Sequence, residues 1–335
     1  MKPNIKHVAK AAGVSISMVS RVLTGRGYVR EDKKEKVRKV VREMGYHPSA
    51  LARGLRDRRT RTLGLLFSWI SQPTMGDYYY REILSAAIEV CARRGYELLV
   101  SNFVGRLDDE GGGRCLQFLG DTRLEGVLML APRVPPAELR RMAARASSKV
   151  VLINHHQKGL NCVDTDQRAG MEAALRHLVS KGHRRIGFLA GETGLVSNAS
   201  ERWLAFREGM LRRGLARGGE LVFKGVFTAE SGEQGARALL GRDRPPTALV
   251  ASSDLMAEGA MRVLGRLPPG RRPDLVGFDD RPESARPELA LTTLRQPFYE
   301  LGREATEALI ALIEGKAGEP LELLLPMQLV VRKSA

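Results

Sequence analysis

From Thr62 onward, short apolar runs alternate with segments of helical spacing, and this alternation constrains the fold more than any other feature. The runs LGLLF, YELLVSN, GVLMLA, VVLIN, IGFLAG, ALVASS and DLVGFDD are separated by stretches that read as helices over Tyr80–Arg94, Arg168–Lys181 and Glu201–Arg213, the first stopping at Gly95. A strand that is apolar on both faces must be covered on both. Parallel sheets flanked by helices provide that cover. The body is therefore expected to be α/β, and its roughly 270 residues suit two subdomains better than one core.

The first 61 residues are different in kind. They hold 17 of the 54 Lys and Arg but 5 of the 38 Asp and Glu, a net of +12, and the other 274 residues carry the remaining +4 of the chain's +16. A merely solvated surface would spread its charge, whereas a concentrated basic unit fits a polyanion. Ile5, Val8, Ala9 and Ala12 form the stripe of a short helix, and Gly13 supplies a tight turn. Ser15 is placed to cap a second helix that buries Val19, Val22 and Leu23 and turns Ser17, Arg21 and Thr24 outward. Val37, Val40, Val41 and Met44 stripe a third helix that ends at Gly45. Three short helices with a glycine turn between the first two describe a helix-turn-helix unit.

The outward residues carry the chemistry of a reader of double-stranded DNA. Arg21 offers a planar fork to guanine O6 and N7, Ser17 reaches an adjacent base edge, and Ile16 suits a thymine methyl. Ser20, Thr24, Lys33, Lys34 and Arg38 are expected to meet the DNA backbone, which adds affinity without sequence information.

Other chemistries find no support. Cys91, Cys115 and Cys162 are too far apart for a CxxC pair, and they read as buried or incidental thiols of a reducing compartment. Neither a leader-like apolar stretch nor a membrane-length run occurs, so the cytoplasm is the expected location and no membrane partner is expected. His155–His156 lacks further ligands at metal spacing. Gly111–Gly113 lacks the Lys-Ser/Thr of a phosphate loop and reads as an irregular turn. No catalytic constellation or cofactor motif can be defended, so the chain is not expected to be an enzyme.

The runs IKHVAKAAGVSISMVSRVLTG and VREDKKEKVRKVVREMGYHPSALARGL closely resemble the headpiece of the lactose/galactose repressor family, and KGHRRIGFLAG and GFDDRPESARPELALTTLRQP extend the resemblance through the body. His7, Met18 and Thr24 stand where the family usually has Asp, Thr and Asn. The resemblance implies a headpiece over 1–47, a hinge helix and linker over 48–61, and a periplasmic-binding-protein-like body over 62–335. Its first lobe would span about 62–157 and 292–317 and its second about 160–288 and 318–335, with crossovers near 157–160, 288–293 and 315–320. In the hinge, Leu55 would wedge into the minor groove, flanked by Arg53 and Arg56. The implied partners are a near-palindromic operator, a second copy of the chain and a small effector of carbohydrate type.

Ligands of open α/β sheets bind beyond the carboxyl ends of the strands, which selects Asn154, Asp254 and Asp279. At Asp254, helix capping weighs more than ligand contact. The resemblance implies Asn154, Arg202, Phe227 and Asp279 as effector contacts, with Tyr79 and Tyr80 adding aromatic surface. A solute-binding protein would share such a body, but not the basic helix-turn-helix.

Overall fold

The computed structural model describes residues 3–24, 27–46, 59–69, 77–104, 110–132, 134–146, 149–194, 197–215, 221–318 and 320–335. The chain divides into two compact units, Met1–Arg61 and Thr62–Ala335. In the first unit, α1 (Ile5–Ala12) is capped by Asn4, whose side chain accepts the Lys6 and His7 amides. The His7 ring accepts the Asn4 amide in return, closing a capping box, so the residue that departs from the family pattern has a local structural use. Gly13 ends the helix at φ 61°, the left-handed region that glycine enters without steric cost. The Ser15 hydroxyl accepts the Met18 amide at 3.2 Å and starts α2 (Ile16–Thr24), while α3 (Glu31–Glu43) closes ahead of Gly45 at φ 57°. Val8, Ala9, Ala12, Val19, Val22, Val29 and Val37 form the core. Each buried valine adds roughly 1.5–3 kcal/mol, so this is a small core holding a small unit.

The second unit runs β1 (Thr62–Trp69), α4 (Tyr78–Arg94), β2 (Glu97–Val104), α5 (Glu110–Leu119), β3 (Gly126–Leu130), α6 (Pro136–Arg145), β4 (Lys149–Ile153) and β5 (Cys162–Thr165). It continues with α7 (Gln167–Ser180), β6 (Ile186–Ala190), α8 (Ser197–Arg212), β7 (Val222–Lys224), α9 (Ala229–Leu240), β8 (Ala248–Ala251), α10 (Asp254–Leu264), β9 (Asp274–Asp279) and β10 (Thr292–Arg295). Then come α11 (Phe298–Ile313), β11 (Glu322–Leu325) and β12 (Gln328–Val330). One sheet has the order β11-β5-β4-β3-β1-β2 and the other β12-β10-β9-β8-β6-β7. All pairs are parallel except β10 with β12. Every residue of β3 and of β6 is buried, as the unbroken apolar runs require. Gly126 shows how closely the helix layer approaches: a Cβ there would lie 2.7 Å from Leu309 of α11.

The strand exchanges between the sheets fall later than the sequence suggests. The chain leaves the first sheet after Thr165, returns after Arg295 and crosses back after Leu325. The expected positions, 157–160, 288–293 and 315–320, are each one strand too early. β5, β10 and β11 are four residues long and bracketed by loops, and only their hydrogen-bond register assigns them to a sheet. No local pattern reports that register. Gly111–Gly113 also differ, lying in the first turn of α5 rather than in an irregular turn; the later part of that helix packs Cys115 and Leu119 onto the sheet.

Candidate nucleic-acid interface and inter-lobe site

On α2, Ile16 is 45% exposed and Ser17 and Arg21 are open to solvent, while Val19 and Val22 are buried on the opposite side. The Ser15 and Ser17 hydroxyls lie 2.9 Å apart. Ser20 does not share this face. It is only 7% exposed, because its position on the helix turns it toward the packed side, so a backbone contact through its side chain is not offered. Lys33 and Lys34 are half-buried, and Lys34 Nζ lies 2.8 Å from Glu31 Oε2, with Arg38 3.8 Å from the same carboxylate. The Lys34 hydrogen bond holds the Glu31 carboxyl below its usual range. The side chain of Thr24, and Arg53, Leu55 and Arg56 entirely, lie outside the described residues.

In the body, a polar network gathers at the carboxyl ends of both sheets. Asn154 follows β4 at φ 54°, a conformation asparagine tolerates. Its Nδ2 donates to the Tyr79 hydroxyl at 2.8 Å, and Asn198 of α8 donates to its Oδ1, joining the first lobe to the second. Tyr79 sits in the first turn of α4, which Asp77 caps by accepting the Tyr79 amide at 3.0 Å. Its ring meets Tyr80 and Phe298 edge-on at 4.8 and 5.0 Å, and Tyr80 meets Phe67 at 5.7 Å. Burial keeps the Tyr79 hydroxyl well above its usual pKa, so it stays a neutral phenol.

Arg202 of α8 is 4% exposed and lies over the Phe278 ring, 4.6 Å from its centroid. Its Nε donates to Gln167 Oε1 at 2.7 Å and a terminal nitrogen to the Ser252 carbonyl at 2.5 Å. Gln167 donates to Thr165 Oγ1 at 2.6 Å, Thr165 to Gln296 Oε1 at 3.1 Å, and Gln296 to Asp279 Oδ1 at 2.6 Å. The chain from Arg202 to Asp279 thus passes through the residues that flank two of the three crossovers. Burial, reinforced by the Asp254 charge, pushes Asp279 up to about 8, and burial lowers Arg202. Asp279 and Asp280 hold φ of 124° and 57°, which costs on the order of 1–3 kcal/mol each for residues other than glycine. Arg295 and Arg332 hold Asp280 there, at 2.6 and 2.7 Å. Strain of this kind marks places where the surroundings over-determine the backbone.

Asp254 needs correction. Ser253, not Asp254, caps α10, its side chain accepting the Met256 amide. The Asp254 carboxylate is 2% exposed and accepts from Thr293 Oγ1 at 2.5 Å, Ser284 Oγ at 2.5 Å and the Arg281 amide at 3.0 Å. Both oxygens are committed to a brace between α10, β10 and the turn after β9, so it is neither a cap nor a ligand contact. Phe227 lies against the end of β6, where a Cβ on Gly191 would fall 2.3 Å from its ring. His155 is buried, which lowers it to about 4, and His156 faces Glu322 at 3.1 Å. Among the described residues no cluster of metal-ligating side chains occurs, and no helix is long and apolar enough to cross a membrane.

Asp164, Thr165, Gln167, Asn198 and Gln296 belong to the network but escape a reading of the sequence. Their signal is faint: VDTDQ closes a short apolar run, and Gln296 stands just before a proline.

The chain matches two family models, "Bacterial regulatory proteins, lacI family" over residues 4–49 and "Periplasmic binding protein-like domain" over 175–335. It is 33% identical over 341 residues to the HTH-type transcriptional regulator CelR of Thermobifida fusca, covering 99% of this chain and 98% of that one. Among solved structures it resembles the lac repressor dimer bound to operator and the anti-inducer ONPF, with TM-score 0.89, 25% identity and coverage of 100% and 99%. A CelR–cellobiose complex matches with TM-score 0.73, 30% identity and coverage of 99% and 100%.

Proposed function

Because the chain belongs to the LacI family of bacterial regulatory proteins, we propose that Ile16, Ser17 and Arg21 read its operator and that the inter-lobe network around Asn154, Arg202 and Asp279 receives its effector. The protein is a sequence-specific DNA-binding transcriptional regulator, not an enzyme. It acts as a cytoplasmic repressor, as a dimer that sets two headpieces in successive major grooves of a near-palindromic site. Arg53, Leu55 and Arg56 engage the minor groove between the half-sites. The effector is a carbohydrate, in keeping with the cellobiose bound by a relative. Tyr79, Tyr80 and Phe227 supply aromatic surface for its rings, and the amide, guanidinium and carboxyl groups supply donors and acceptors for its hydroxyls.

One observation carries this reading. The Arg202–Gln167–Thr165–Gln296–Asp279 chain joins the candidate effector groups to the crossovers between lobes. A ligand that rearranges its ends biases the angle between lobes, and the linkage is reciprocal: an effector that weakens operator binding is itself weakened by operator. Selection of binding sites from random duplexes, followed by gel shifts with added sugars, tests both halves. The expected result is one near-palindromic sequence whose affinity responds to a sugar. Equal binding of all duplexes, with or without sugars, would overturn it.

A further inference from the structure

Asp164 is the residue of the inter-lobe region that the network leaves unsatisfied. It lies in β5, one position beyond the Ile153–Val163 pair, so the register sets it beside Asn154, the residue bonded to both Tyr79 and Asn198. Its side chain is fully buried. Oδ1 accepts the Thr165 amide at 2.7 Å, but Oδ2 finds no hydrogen-bond donor among the described residues. A buried carboxyl oxygen without a donor costs roughly 1–3 kcal/mol, and nothing in the packing of the free protein offsets it.

The charges around it are lopsided. Burial raises Asp164 to about 7, and its field is shared with Glu201 and Arg202. Burial also raises Glu201, Asp279 and Asp77. Against these carboxyls stands the buried Arg202, whose hydrogen bonds go to the neutral oxygens of Gln167 and Ser252. Arg168, whose charge also reaches Glu201, is bonded to Glu208 at 2.6 Å, and burial keeps His155 neutral. An anionic ligand would meet three or more carboxyls. A neutral sugar would offer Asp164 a hydroxyl but leave the excess of acid uncompensated. A cation would answer both needs, donating to the free oxygen and supplying the missing charge.

We propose that the effector is an amine-bearing carbohydrate, with its ammonium group donating to the free oxygen of Asp164 while its hydroxyls meet Asn154, Arg202 and Asp279. This rests on the inter-lobe effector reading above and narrows it to one charge class. It also explains why an otherwise apolar strand carries a carboxyl the fold does not need.

Calorimetric titration of the full-length protein with matched sugars tests it. The panel is glucose, glucosamine and N-acetylglucosamine, and cellobiose beside the glucosamine disaccharide; N-acetylation keeps the nitrogen and removes its charge. The amine members are expected to bind about tenfold tighter than their neutral twins. Asp164→Asn should erase that preference while raising the Tm of the ligand-free protein, because the unsatisfied buried charge is gone. Asp164→Ser serves should the asparagine variant fold poorly. Neutral sugars that bind as tightly as amines overturn this inference and leave the effector reading intact, as does a preference that survives in both variants. A panel silent throughout overturns the two together.

Discussion

The headpiece and the inter-lobe site recognise their ligands by opposite physical arrangements. In the headpiece, Ile16, Ser17 and Arg21 stand on one exposed face of a single helix, nine residues long, held by a core of small side chains. In the body, Tyr79, Asn154, Asn198, Arg202, Asp279 and Gln296 come from segments spread over more than half the chain, and they meet in a buried network. An exposed reader can be altered with little cost to the fold, whereas a buried one couples every change to stability. The same difference makes the buried site able to transmit: its hydrogen bonds run through the crossovers, while those exposed side chains have no such path.

Four experiments bear on that contrast, and the largest effect is expected in the headpiece. Arg21→Ala should lose roughly 1–3 kcal/mol of discrimination at each half-site and so most of the sequence preference of a dimer. Its Tm should change by little, as for exposed positions generally. A selection experiment that recovers the wild-type operator with this variant would remove Arg21 from the reading face. In the body, Arg202→Met should abolish the response to effector and also lower stability by about 1–3 kcal/mol, since Gln167 Oε1 and the Ser252 carbonyl lose their donor. DNA binding in the absence of effector should persist. Lost DNA preference together with an unchanged Tm would contradict the division of labour.

A third experiment uses pH. Asp164 and Asp279 sit at about 7 and about 8 when folded, above the ordinary value of 3.8. The folded protein therefore holds protons that the unfolded chain releases, and these groups contribute less stability as pH rises from about 4 through those values. The Tm advantage of Asp164→Asn over wild type should accordingly widen from pH 5 to pH 8. A constant difference would show that the carboxyl titrates normally. The smallest effect is expected from Lys34→Ala, which should weaken binding to all sequences alike and reduce the salt dependence by about one counterion. Because Lys34 already pairs with Glu31, a change in sequence preference would be the surprise.

How much was legible follows the same line. The stripes Ile5-Val8-Ala9-Ala12 and Val37-Val40-Val41-Met44, the Ser15 cap and the glycine stops are local signals, and each appears in the structure where its spacing puts it. Asn154 and Asp279 were legible because a strand-end rule points to them. Ser20 was misplaced because helical phase alone does not say how wide the packed side is. Asp254 was misread because its three donors arrive from residues 281, 284 and 293, which no window of sequence joins.

By itself, the sequence determined that a basic three-helix unit precedes a doubly covered α/β body, since periodicity, charge and capping act between residues a few positions apart. The tertiary structure alone decided which sheet the four-residue strands β5, β10 and β11 join, and therefore where the lobes exchange chain. It also decided that Thr165, Gln167 and Gln296 would link Arg202 to Asp279, and that one oxygen of Asp164 would be left without a donor. Those outcomes depend on hydrogen-bond register and on burial, which exist only once distant segments have come together.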